Sequence, residues 1–419
     1  MRENGRMLDT AGNDTAAINA AAAGAPAAGS AAALPSRPEH PAHELAPLDL
    51  AHPLASGATA EAPLIRAARG ERSERLPIWF MRQAGRSLPE YRRVREGVSM
   101  LDSCLRPELA AEITLQPVRR HGVDGAVFFS DIVVPLKLAG EQVEIVPGRG
   151  PVFATPIRTS AEAHDFAARV RDRIAPELFA PISEAVALTV AELGSTPLIG
   201  FAGAPFTVAA YIVEGGPSKD HLRARALMRA DPEAWHAVAG AIAELSGAFL
   251  EAQVRAGASI VQLFDSWAGS LSVEQYRRSV GPSSAAALER VRSLRTPGGE
   301  RVRTIHFGVG TAELLRDLHA VGADVQGVDD RIPLDEASRR LGGEVPLQGN
   351  IDPAALGAGQ SLLEQHALDV VRRGFSAPAH IVNLGHGVPP ETDPDVLTGL
   401  VAFVHGLDGR TPPEPDRQE

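Results

Sequence analysis

One cysteine, Cys104, stands in 419 residues, so neither an intramolecular disulfide framework nor a multi-cysteine zinc or iron–sulfur site can form. A reducing cytoplasm is the natural setting for such a chain. Lysine is nearly as scarce, with only Lys137 and Lys219, and almost all positive charge is arginine. No stretch of 18 or more apolar residues runs free of charge or proline, which argues against a membrane span. A basic surplus is missing too: the formal net charge is -11, and nucleic-acid partners normally require a basic face. An anionic small molecule stays compatible wherever arginine is concentrated, because guanidinium pairs carboxylates bidentately and keeps its charge.

Residues 1–60 are dominated by Ala, Gly, Pro, Ser and Thr and show no helical period. Such a stretch buries too little apolar surface to offset its ordering entropy, and the composition predicts a disordered extension. An export signal fits poorly, because residues 16 to 34 hold little Leu or Val and Glu3 and Asp9 lie ahead of them. Residues 410–419 read as a second disordered tail.

From Leu64 onward, short β-branched runs alternate with longer amphipathic ones, the pattern of βα units. Eight strands are predicted: Pro77 to Phe80, Gly125 to Phe129, Pro197 to Phe201, Ser259 to Phe264, Arg303 to Phe307, Asp324 to Val328, Val345 to Gln348 and His380 to Leu384. Helices are expected over Pro107 to His121, Pro232 to Ala256 and Ala312 to Val321, and a hairpin over Val143 to Phe153 around Pro147 and Gly148. Eight strands with intervening helices suggest one closed (β/α)8 barrel over residues 61–409, with an open doubly wound sheet as the competing architecture.

Polar or glycine-rich clusters follow each apolar run. They include Arg82 to Arg86, Ser130 with Asp131, Ala202 to Thr207, Asp265 with Ser266, Gly308 to Gly310, Asp329, Asn350 to Asp352, and Gly385 to Gly387. In a barrel these points share the C-terminal face, where barrel enzymes place their chemistry. The segment PIWFMRQAGRSLPEYRRVR at 77–95 packs Arg82, Arg86, Arg92, Arg93 and Arg95 into fourteen positions. A solvated helix face accounts for Arg92 and Arg93, whereas Arg82 and Arg86 flank Ala84 and Gly85 in a turn able to aim both inward.

RQAGR at 82–86 with LPEYR at 88–92 resembles the signature near the start of the uroporphyrinogen decarboxylase family. LAAEITLQPVRR, FFSDIVVPL, GFAGAPFTVAAYIVEG, VQLFDSWAG, RIPLDEA, QGNIDP and NLGHGVPPETDP resemble further family blocks in the family's order, covering roughly residues 62 to 405. The resemblance implies a distorted (β/α)8 TIM barrel, a cytoplasmic homodimer, and conversion of uroporphyrinogen III to coproporphyrinogen III without metal or organic cofactor. It places Arg82, Gln83, Ala84, Gly85 and Arg86 along the substrate pocket, with Arg95 as a further carboxylate contact. Asp131 becomes the aspartate that meets the pyrrole nitrogens, and Tyr211, Ser266 and His386 touch substrate. Two positions depart from the family pattern: Ser87 stands where an aromatic residue commonly follows, and Asp330 where a tryptophan often precedes RIPLDEA.

Loss of carbon dioxide leaves an electron pair that many enzymes park on a cofactor. A pyrrole protonated at a ring carbon accepts that pair itself, so a chain with two lysines and one cysteine suffices. What remains is electrostatic. Asp131 balances the transient ring cation, and arginines pair with substrate carboxylates at about 1.5–3 kcal/mol per charge-assisted bond. Arg82 and Asp131 are therefore the expected catalytic pair. GFAGAPF at 200–206 lacks the Gly-Lys-Ser/Thr ending of a phosphate loop, and Ser266 has no Gly-x-Ser-x-Gly frame. His306, inside a predicted strand, reads as structural. Two rivals are a zinc-dependent methyltransferase on the same barrel and a barrel that binds tetrapyrrole without catalysis. The first needs a soft thiolate and imidazole ligand set, and Cys104 in LDSCLRPEL lies outside any such arrangement. Intact Arg82, Arg86 and Asp131 weigh against the second.

Overall fold

A computed structural model describes residues 46–85 and 87–414. Nine strands are present among them: β1 (Ala126–Val127), β2 (Val143–Val146), β3 (Gly150–Phe153), β4 (Leu198–Gly203), β5 (Ile260–Asp265), β6 (Arg303–Gly308), β7 (Val325–Gly327), β8 (Leu347–Ile351) and β9 (His380–Leu384). β2 and β3 form the expected antiparallel hairpin. The other seven make one parallel sheet in the order β1-β4-β5-β6-β7-β8-β9, so each new strand is laid beside the previous one. Strands β4, β5, β8 and β9 are buried at every or nearly every position, as expected of a parallel sheet covered on both faces.

The sheet is strongly curled. β5 and β8 are three strand spacings apart, roughly 14 Å in a flat sheet, yet Gln348 Nε2 donates to Gln262 Oε1 at 2.9 Å. Gln348 also accepts from Trp79 Nε1 at 3.1 Å, tying the segment before β1 into the same interior network.

That segment, Pro77 to Phe80, was expected to be a full strand, and among the described residues it makes a single parallel bridge, Ile78 to Val382. The cause is competition for its donors. Ile78 N–H goes to the Asp124 carboxylate at 2.8 Å and Phe80 N–H to Gln83 Oε1 at 2.9 Å, leaving few groups for a ladder. Even so, Val382 N–H donates to Pro77 O at 2.8 Å, and Asp124 N–H to Ile78 O at 2.8 Å.

Helices form where the pattern places them. Pro107–His121 begins on a proline and ends at Gly122 in the left-handed conformation. Pro232–Arg255 is capped by Asp231, whose side chain accepts from Ala234 N–H at 3.0 Å. By length and composition this helix could cross a membrane, but 72% of its apolar window is buried inside the fold. The predicted helix over Ala312 to Val321 divides into a 3-10 turn, Ala312–Leu314, and a helix, Leu315–Ala320.

Residues 1–45 and 415–419, within the two predicted tails, lie outside the described residues. The last part of the expected extension, 46–60, is packed. Leu48 and Leu54 are buried, His52 Nε2 lies 3.0 Å from Val254 O, and Thr59 bonds Ser259 at 2.8 Å. A low density of apolar residues concealed this, because a few buried anchors are enough to dock a short segment.

Candidate active site

Because the seven strands are parallel, their C-terminal ends share one side, and the segments leaving them supply the chemistry-bearing residues. Asp131 follows β1. Its Oδ1 accepts Val133 N–H at 3.0 Å, which holds the carboxylate at the start of the turn into helix Val134–Leu138. Burial raises the Asp131 pKa, while the Val133 N–H and the Arg82 charge oppose that rise.

Arg82 sits in a left-handed backbone conformation, φ 63°, uncommon outside glycine. Its side chain is exposed and forms no salt bridge among the described residues. Its aliphatic stem lies over Gly387, where an added Cβ would stand 2.6 Å from Arg82 Cδ. This contact joins the first arginine segment to the loop after β9. The Arg82 charge also reaches Tyr211 and His386, so one guanidinium lies amid Asp131, Tyr211 and His386.

Tyr211, on helix Pro205–Glu214, is pushed up to about 12 by burial, with the Asp131 charge adding and Arg82 opposing. Its ring stacks on Trp267 at 3.9 Å and 27°, which brings the Asp265–Trp267 turn, and Ser266 with it, to the same wall. His386 keeps an exposed surface, and partial burial of its ring, followed by the Arg82 charge, lowers its pKa. Asp330 folds over Gly385, next to His386.

The remaining sequence-predicted residues divide. Gln83 is fully buried, and both ends of its amide are committed, Oε1 to Phe80 N–H and Nε2 to Gly125 O at 2.9 Å. Its side chain shapes the turn instead of facing the cleft. Ala84 and Gly85 lie partly buried in that turn, where a Cβ on Gly85 would press 2.8 Å from Arg82 O. Arg95 lies over the Tyr91 ring at 5.2 Å, with bonds to Tyr91 Oη and Val98 O. Both Arg95 and Asp131 act on buried Cys104, which places Arg95 on the Asp131 side of the cleft. Arg86 lies outside the described residues. Arg92 and Arg93 are exposed on helix Pro89–Val94. Ser87 is buried, its hydroxyl without a partner among the described residues.

Two aromatic residues escaped the sequence reading. Trp267 and His221, centroids 4.3 Å apart, extend the Tyr211 stack. Trp267 directly follows a strand-end polar pair and is one of three tryptophans in the chain, a signal that could have marked it. Cys104, considered as a metal ligand, is a buried thiol whose pKa burial drives well above the usual range, with Asp131 raising it further.

A family model described as uroporphyrinogen decarboxylase matches residues 59–407. A uroporphyrinogen decarboxylase of Arthrobacter sp. (strain FB24) is 63% identical over 351 residues, 84% of this chain and 99% of the relative. One from Leifsonia xyli subsp. xyli is 62% identical over 369 residues, 86% of this chain and 98% of the relative. Among solved structures, a methyltransferase from Methanosarcina mazei superposes with a TM-score of 0.66 at 15% identity, covering 83% of this chain and 98% of its own. That likeness concerns the fold alone.

Proposed function

The chain belongs to the uroporphyrinogen decarboxylase family, and we propose how its cleft performs that decarboxylation, taking the four acetate arms of uroporphyrinogen III to methyl groups and yielding coproporphyrinogen III. The observation that supports the reading is that the Arg82 charge acts on Asp131, Tyr211 and His386, which come from three other segments.

Each cycle adds a proton to a pyrrole ring carbon, breaks the bond between acetate methylene and carboxylate, and draws the released electron pair into the cationic ring. A second proton then completes the methyl group as the ring proton leaves, so each acetate consumes one proton and releases one carbon dioxide. No electron sink outside the substrate is needed.

Asp131 supplies the charge that opposes the transient cation. Burial keeps its carboxylate short of solvation, and pyrrole N–H groups converging on it restore hydrogen bonds to the charged form. Substrate therefore completes the environment that ionises its own counter-charge. Arg82, in no salt bridge among the described residues, is left to pair with the reacting acetate, and Arg95 and Arg86 with other arms. Tyr211, Ser266 and His386 border the macrocycle, and Ala84 and Gly85 leave room beside the Arg82 turn. Gln83 contributes by holding that turn.

The architecture that goes with this is a closed (β/α)8 barrel in which Pro77 to Phe80 is the eighth stave. Its bonds to Val382 on one side and to Asp124, just before β1, on the other support closure. A cytoplasmic homodimer belongs to the same proposal. The test is anaerobic incubation of the purified chain, sized by sedimentation, with uroporphyrinogen III. Products with seven, six, five and finally four carboxylates, formed without added metal, are expected from a dimer. Substrate recovered bound but unchanged would overturn the catalytic reading in favour of a tetrapyrrole-binding barrel.

A further inference from the structure

Behind the cleft wall lies a group that the reaction does not use. Asp265, the last residue of β5, has no exposed surface. Its Oδ1 accepts Thr207 Oγ1–H at 2.7 Å, and Thr207 Oγ1 itself accepts Trp267 N–H at 3.2 Å. Trp267 is the ring on which Tyr211 stacks. A continuous path thus runs from a buried carboxyl, through one hydroxyl, to the aromatic wall beside Asp131.

The other oxygen of Asp265 faces buried polar side chains. Among the described residues Oδ2 has no hydrogen-bond partner; it lies 3.9 Å from His306 Nε2, which has none there either. His306 Nδ1 is 3.0 Å from Leu318 O; a carbonyl only accepts, so Nδ1 carries the proton and Nε2 presents a lone pair. Tyr276, fully buried on helix Val273–Ser279, feels the Asp265 charge. Two facing acceptors without solvent disfavour a carboxylate at Oδ2, consistent with an Asp265 pKa pushed up to about 7. A buried, costly carboxyl in contact with no cleft surface calls for a role that repays it.

We propose that Asp265 is a positioning residue of the decarboxylation cleft, setting the Trp267–Tyr211 wall through Thr207. The inference rests on the reading of that wall as substrate-facing. Thr207 is suited to the task because one hydroxyl can donate to the carboxyl and accept from the Trp267 amide at once. Valine, of equal shape, can do neither. Trp267 is also the one tryptophan of three that is not fully buried; Trp79 and Trp235 are buried and bonded elsewhere, to Gln348 and Ser279, and serve as internal references.

The experiment labels the protein with 5-fluorotryptophan, assigns the Trp267 fluorine resonance by Trp267→Phe, and compares Thr207→Val, Thr207→Ser and Asp265→Ala. Thr207→Val should shift the Trp267 resonance alone and raise KM for uroporphyrinogen roughly three- to tenfold, the weight of a lost hydrogen bond, with kcat changed less. Thr207→Ser should restore both, and Asp265→Ala should match Thr207→Val. An unmoved Trp267 resonance in Thr207→Val, or a Thr207→Ser as impaired as Thr207→Val, would overturn the proposal. The Thr207 pair decides the matter even where Asp265→Ala does not fold. The resonance shift is read without substrate, so an inactive wild-type protein would refute the decarboxylase reading and leave this linkage separately tested.

Discussion

Gly387 carries more information about the cleft than its lack of a side chain suggests. A methyl group there would enter the space of Arg82 Cδ and Cγ, in the middle of the side chain where Arg82 cannot simply swing its tip aside. Gly387→Ala should displace the guanidinium from Asp131 and lower kcat/KM by about tenfold to a hundredfold, the scale of an ångström-size misplacement, with little change in melting temperature. Kinetics within twofold of wild type would show that this contact does not set Arg82. Buried histidines give a second expectation. Burial depresses His306 and His380 to about 4, so both are neutral in the fold at pH values where they are partly charged when unfolded. Their contribution is complete above the unfolded value of about 6.5 and is lost as pH falls from there toward 4, roughly 3 kcal/mol for each. Asp265, raised to about 7, works in the opposite direction over the same range. Ring resonances of His306 and His380 should stay in the neutral position down to pH 5 by NMR, and a midpoint near 6.5 would contradict their burial. Motifs alone named Arg82, Asp131, Tyr211 and His386, and in the fold the Arg82 charge acts on the other three. Gln83 shows the limit: a motif records that a residue matters without distinguishing a group that shapes a turn from one that faces the cleft. Trp267 and Thr207 were hidden for a related reason, since their partnership is made across two strand ends far apart in sequence.

Strands were recognised through their β-branched runs, and seven of eight predicted positions became strands of the parallel sheet with ends shifted by a few residues. The exception, Pro77 to Phe80, has the right side chains but gives its backbone donors to Asp124 and Gln83, an arrangement invisible to periodicity. Composition misled most at residues 46–60. Leu54 is buried and His52 reaches Val254, so this segment closes over the ends of the Pro232–Arg255 helix and β5. Leu54→Ala should cost about 2–5 kcal/mol in urea unfolding, and a chain begun at residue 61 should melt below one begun at residue 46. Equal stability of all three proteins would return the segment to the loose extension that its composition suggests.

For the molecule as a whole, acidity and arginine usage tell one story. A chain of net charge -11 repels polyanions over most of its surface, so an octacarboxylate is captured only where guanidinium groups are left without protein partners. Arg82 makes no salt bridge among the described residues and feels the Asp131 charge, whereas Arg301 and Arg277 are held by Asp324 and Asp317. A guanidinium outside the ion pairs of the described residues, acting on a half-desolvated Asp131, matches a substrate that is negative at its rim and briefly positive at its centre. Asp131→Asn removes that anion at constant size. Single-turnover decarboxylation of uroporphyrinogen III by this variant, measured under anaerobic conditions beside substrate affinity, should be slower by about a hundred- to a thousandfold, with affinity changed far less. Decarboxylation at the wild-type rate would contradict the account.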